Sequence, residues 1–341
     1  VTRQSDPEQE NARTTETAAT GSIGASDPAA GPGTSSSNGD GSAYAGTSGF
    51  GGTVSRAGSA VRRWWLPEIP FARVAIMRAV IYLFLLYDIF YLRNDVIPHG
   101  HSPELYEPLW IGRVLPLPEP SVGLAQTLQV LIVVGSLVAA TGRLPRLAGW
   151  TVAICYFEWL ILSMSFGKVD HDHLALIIAV FALPTIGRAR LTDDGASPAA
   201  GWAFRCIQVS VIFTYFGSAL AKWVRNGAPF AWANGAVLTW AFIRRATDLA
   251  RWSLDYPWLL RIAQWVMLTA EFLSPIVLFV KGKLLYLGAG FFLTFHLVTY
   301  LTLGIHFLPT VVCWLAFFPT EKLLPDRFRR ASAPQPAEAT A

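Results

Sequence analysis

Between residues 71 and 318 the chain is a succession of long apolar stretches with few charged side chains, and no other feature limits its possible folds so sharply. A helix needs about 20 apolar residues to cross the hydrocarbon core of a bilayer. Stretches of that kind occur at residues 71–92, 122–140, 147–166, 173–186, 202–223, 258–280, 284–303 and 306–318, the fourth and last being short. The expected fold is therefore all-α, a polytopic transmembrane bundle of about eight spans. Pro184, Pro275 and Pro309 are expected to kink or end their helices.

Composition supports this. Of the 341 residues 52% are hydrophobic and only 15% are charged, against about 25% charge in an ordinary soluble domain. That excludes a cytosolic enzyme, a secreted disulfide scaffold and a nucleic-acid binder of the usual kind. The net charge of +4 needs no anionic partner, because basic residues flanking apolar spans orient a chain in the membrane. Cys155, Cys206 and Cys313 lie far apart without CxxC spacing. Each reads as a small hydrophobe, and no metal site is indicated.

Residues 1–60 are a Gly, Ser, Thr and Ala-rich tail, too poor in large apolar groups to offset the entropy of ordering, and are expected to be disordered. The tail lacks the pattern of a secretory signal peptide. Residues 61–325 form the transmembrane domain, and 326–341 a second disordered tail. With eight spans, one set of loops carries most of the basic residues, among them Arg62, Arg63, Arg143, Arg146, Arg188, Arg190, Lys281 and Lys283. The opposite short loops carry Arg93, Arg113 and Lys168. The bias places both termini on the cytoplasmic side of a cell membrane. Within the long 224–257 connection, AVLTWAFIRR is too short to span and reads as an interfacial or re-entrant helix on the outer side.

Ionisable residues inside spans are costly and mark candidate sites. The candidates are Asp88, Glu158, Glu271 and His296, with Lys222 at the outer end of the fifth span and the VDHDH turn after the third. Lys222 shares a helical face with Tyr215 and Ser218 in FTYFGSALAKW. It reads either as a desolvated general base or as a lysine snorkelling to the interface beside Trp223. His296 reads either as a proton-transfer or ligand-binding group or as a core histidine satisfied by a neighbouring helix. His171 and His173 alternate as on one face of an extended turn, without the further ligands a metal would need. Glu158 and Glu271 read as helix–helix glue or as partners of a basic group, and Asp88 as structural. No nucleotide-binding, serine-hydrolase or zinc-protease motif is present.

Two stretches, YFGSALAKW followed by AWANGAVL and then FHLVTYLTLGIHFLPTVVCWLAFFP, together resemble the HTTM domain, the membrane domain of the vitamin K-dependent gamma-carboxylases. DHDHLAL is a weaker third match, and the resemblance covers about residues 64 to 325. It implies that Lys222 takes the place of the family's general base, that His296 takes the place of the Phe-His histidine, and that His171 or, by spacing, His173 takes the place of the histidine at the outer mouth. The carboxylase has a second lysine where this chain has Ala221, and it continues into a large soluble region where this sequence stops. In that family the base deprotonates reduced vitamin K.

The resulting expectation is a quinone-facing membrane protein with Lys222, His296 and His173 as catalytic groups. Tyr215, Ser218, Trp223, Trp232 and Glu271 are expected to bind substrate. The cofactor implied is a reduced quinone. Membrane lipids or quinone are the implied partners, together with a separately encoded soluble protein. A non-catalytic component that binds lipid or quinone is the alternative, and a transporter, which would need internal repeats that are not evident, is a third.

Overall fold

The computed structural model describes residues 58–228 and 230–325. The two expected disordered tails lie outside the described residues, except for 58–60, which are helical. They open a helix over 58–65, α1, so ordered structure begins inside the segment assigned to the tail. A two-residue antiparallel ladder joins β1 (Ile69–Pro70) to β2 (Ala196–Ser197). The other described regular elements are helical.

Six helices are long and apolar enough to cross a membrane. The first is α2 (Phe71–Tyr87), whose last turn widens into a π-helical stretch at Asp88–Leu92. Two short helices follow, α3 (Val96–His99) and α4 (Trp110–Val114). Next come α5 (Val122–Ala140) and α6 (Pro145–Met164). A 3₁₀ turn at His171–His173 leads into α7 (Leu174–Ala182), and then comes α8 (Pro198–Asn226), the longest. Beyond α8 lie α9 (Ala236–Arg245), α10 (Pro257–Leu273), α11 (Lys283–Leu303) and α12 (Leu308–Cys313). The two remaining expected spans appear as shorter apolar helices, His171–Ile186 and Leu308–Phe317.

The prolines act as breakers in different ways. Pro184 and Pro275 each sit in a 3₁₀ turn that closes α7 and α10, whereas Pro309 occupies the first turn of α12, where its missing N–H costs nothing. Ending α7 at Pro184 frees carbonyls inside the bundle. Arg78, from the middle of α2, meets them: Nη2 donates to Gly187 at 2.8 Å and to Leu183 at 3.5 Å, and Nη1 to Ala189 at 3.4 Å. Arg78 is a further ionisable residue within a span, beyond the candidates named above.

The core gathers around α6, whose apolar window is 72% buried, with Tyr156 and Trp159 fully enclosed. Helix α5 packs against α6 and α2 against α5; α7 also packs against α6, and α7 in turn lies against α8. Gly135 lets α5 close on α6, since a Cβ there would stand 2.6 Å from a Val152 methyl. At the other extreme α11 is only 17% buried. It touches the bundle chiefly through Ala289, Phe292 and His296, spaced for one helical face.

Candidate functional site

Helix α8 begins where Ser197 Oγ accepts from Ala200 N and Pro198 pre-sets the first turn, and it ends at Gly227 in the left-handed conformation. Lys222 falls just before its final turn, which carries Arg225. One turn earlier on the same face is Ser218. The hydroxyls of Ser210 and Thr214 bond back to the carbonyls of Cys206 and Ser210, but Ser218 Oγ has no hydrogen-bond partner among the described residues.

Helix α10 turns Gln264, Leu268 and Glu271 inward at helical spacing. Glu271 Oε2 accepts from Lys222 Nζ at 2.5 Å, with 19% of the lysine side chain and 11% of the glutamate side chain exposed. The ammonium also stands 4.4 Å from the centre of the Trp232 ring, a cation–π contact that gains strength as it is desolvated. Trp232 is held there by its backbone, whose carbonyl accepts from the buried Gln264 Nε2 at 2.5 Å. Lys222, Ser218, Thr214, Trp232 and His171 face one cleft of about 850 Å³, whose other walls are mainly apolar, among them Leu174, Phe213 and Leu220. Trp223 takes no part in it. That ring is 42% exposed and packs edge-on against Phe272.

Seven residues before Lys222, about 10 Å along the helix, Tyr215 belongs to a packed aromatic layer. Its hydroxyl lies 2.6 Å from His296 Nε2 and accepts from Trp314 Nε1 at 3.0 Å. An indole N–H only donates, so the tyrosine proton is free for His296 Nε2, and a neutral His296 then carries its own proton on Nδ1. That nitrogen is buried without a partner among the described residues. The rings of Phe292 and Phe307 close the layer, 4.3 Å from Tyr215 and 5.1 Å from His296.

His173 belongs to a third group. Its Nε2 is 3.0 Å from Asp88 Oδ1 and its Nδ1 is 3.0 Å from Asp172 Oδ1. Tyr156 donates to the other Asp88 oxygen at 2.7 Å, and Arg93 ion-pairs with Asp170 beside them. Both imidazole nitrogens lie against carboxylates, and Arg93 Nε also stands 3.5 Å from Nε2. The group borders a polar pocket of about 400 Å³ containing Arg93, Asp95, Asp170 and His306, and His171 lines this pocket as well as the Lys222 cleft.

Both histidines line the polar pocket, but in the 3₁₀ turn successive residues advance by about 120°, so residues two apart diverge, and of the two it is His171 that also lines the Lys222 cleft. Of the expected site residues, Lys222, Ser218, Trp232 and Glu271 converge; Tyr215 and His296 join each other one layer away; His173 and Trp223 stand apart. Arg93, expected in a loop, is 6% exposed, and Trp159 Nε1 donates to its carbonyl at 3.1 Å. Its position one residue past an apolar span, followed by Asp95 and later by VDHDH, was the available signal. Glu158 is buried with Oε1 unpartnered, and so pairs with no basic group through that oxygen. Among the described residues no three His, Cys, Asp or Glu side chains converge as a metal ion would require. The three cysteines are free, Cys155 and Cys313 buried and Cys206 half-buried.

Comparison with family models, with curated proteins and with solved structures finds no match to the chain.

Proposed function

We propose that the chain is a multi-pass membrane protein of the HTTM type that acts on a quinone or similar lipid-soluble ring, with Lys222 as general base. The observation that carries this reading is the Lys222–Glu271 pair, set under Trp232 at the wall of a largely apolar cleft. In such surroundings, transfer of one proton from the ammonium to Glu271 leaves a neutral amine, the form that accepts a proton from a ring hydroxyl. Ser218 supplies a free hydroxyl beside the amine, and His171 closes the outer mouth. Tyr215 and His296 lie one layer deeper, and the apolar sides exclude water. The helices His171–Ile186 and Leu308–Phe317 complete eight crossings, which returns both termini to the cytoplasmic face of a cell membrane. A separately encoded soluble protein supplies whatever docks a larger substrate.

The test is quinone-dependent oxygen uptake by purified protein, together with mass spectrometry of the lipids and quinones that co-purify. Lys222→Ala is expected to lower uptake at least a hundredfold, the usual scale for losing a positioned base. Full uptake in that variant would overturn the assignment.

A second reading has its own support. Glu271 neutralises Lys222 and ties α10 to α8, as an ion pair serving only as a staple would. A non-catalytic binder of lipid or quinone then retains its ligand when Lys222 and Glu271 are replaced together by Met and Leu.

A further inference from the structure

Apart from Trp232, the segment between α8 and α10 takes no part in the Lys222 cleft. It has its own small core, in which Leu238 and Phe242 of α9 pack with Ala250 and Leu260. The opposite side of α9 exposes Val237, Trp240 and Ile243, at 46%, 60% and 61%. Trp252, Tyr256 and Trp258 continue this exposed apolar surface into the start of α10. Such a surface at the end of a bundle is stable where aromatic rings sit at the level of lipid headgroups.

The surface contains a notch of about 630 Å³ between α9 and the first turn of α10. Trp240, Ile243 and Trp258 form its apolar sides, while Asn234, Thr239 and Arg261 supply polar groups. Gly235 makes the notch possible. Its φ of +95° turns the chain into α9, and a Cβ there would press to 3.2 Å on Arg261 Cβ. The Arg261 side chain has no ion pair or hydrogen bond among the described residues. Arg251 is matched by Asp248 at 3.6 Å and Arg244 lies over the Trp240 ring, so Arg261 is the unmatched cation in the notch itself.

We propose that this notch holds the phosphate of an anionic phospholipid, with Arg261 as the phosphate ligand and Trp240 and Trp258 flanking the glycerol and upper acyl chains. A planar guanidinium matches phosphate oxygens in two parallel hydrogen bonds, and the tryptophans suit a ligand polar at one end and apolar at the other. The lipid is a structural ligand of the outer end of the bundle, independent of any reaction at Lys222.

Native mass spectrometry of the purified chain tests it, with phosphatidylglycerol, diacylglycerol of the same chains, and inorganic phosphate as three separate additions. Phosphatidylglycerol is expected to give retained adducts and diacylglycerol none, and phosphate is expected not to displace the lipid. Arg261→Gln is expected to weaken phosphatidylglycerol retention about tenfold, the scale of one lost charge-assisted contact. Arg261 is exposed, so this variant is expected to fold, and Arg245→Gln, outside the notch, serves as the matched control. Equal retention in wild type and Arg261→Gln would overturn the proposal, as would an equal loss in Arg245→Gln. Displacement by inorganic phosphate would assign the notch to a free anion and overturn it too.

Discussion

Lys222 and Glu271 illustrate how much depends on single side chains here. Two opposite charges withdrawn from water stabilise a fold only modestly as a pair, yet removing one partner leaves the other buried and unmatched. Lys222→Ala is therefore expected to cost about 3 kcal/mol or more in thermal unfolding, and Glu271→Leu a similar amount. Lys222→Met combined with Glu271→Leu is expected to recover most of the loss. Additive losses in the double variant would mean that the pair is not coupled as its 2.5 Å separation requires. At this scale the sequence was only partly informative. It marked Lys222, Glu271 and His296 because ionisable residues within apolar stretches are rare, but partners on other helices carry no local signal. Trp314, which supplies the hydrogen bond to Tyr215, carries no ionisable group and so is not marked by that criterion. The His-x-His spacing suits one face of an extended chain, whereas the 3₁₀ turn leaves His171, and not His173, on the Lys222 cleft.

Elements are joined by a few polar clasps whose strength responds to conditions. Arg73 on α2 holds Glu321, beyond the last helix, through two hydrogen bonds of 2.7 Å. Burial by itself would raise the Glu321 carboxyl, but the bonds and charge of Arg73 outweigh it and keep the group below the ordinary glutamate value. A carboxyl whose folded pKa is depressed adds stability above its unfolded pKa, and that stability is lost as pH falls through the folded value. Wild-type protein is accordingly expected to lose stability below about pH 4.5 relative to Glu321→Gln, with the two melting profiles converging in acid. Parallel profiles from pH 7 to pH 3 would contradict the clasp. Helix positions were readable because length and apolar content select them directly. Their ends were less so: α8 runs from Pro198 to Asn226, beyond the expected 202–223 at both ends. The added residues, PAAG at one end and VRN at the other, are small or polar rather than strongly apolar, and so fall outside a criterion based on hydropathy.

For the whole molecule, composition and the run of apolar stretches gave an all-helical bundle, and six helices of membrane-crossing length are present. The two shorter helices decide the topology. If both cross, as proposed, a reporter fused after residue 325 and one fused before residue 60 are expected to be active only on the cytoplasmic side. A single-cysteine label at residue 249, beside exposed Trp252, would then react from the outside. Opposite sidedness of the two fusions would reduce the crossings to an odd number and remove the proposed orientation. Hydropathy could not settle this, because a helix of 10–17 residues is compatible with either a thin, protein-lined crossing or a buried core element.

The slight burial of α11 makes the surrounding medium a working part of the fold. With 17% of its window enclosed, this helix finds few of its neighbours within the chain, and in a bilayer acyl chains would supply the rest, which a micelle replaces least faithfully. The Tyr215–His296 bond is a principal polar tie between α11 and the rest of the bundle, so its geometry depends on how firmly lipid presses the helix home. Measurements on His296 made in nanodiscs and in short-chain surfactant are thus comparisons of two solvents as much as of two variants, and the bilayer is the reference state in which the aromatic layer should be judged.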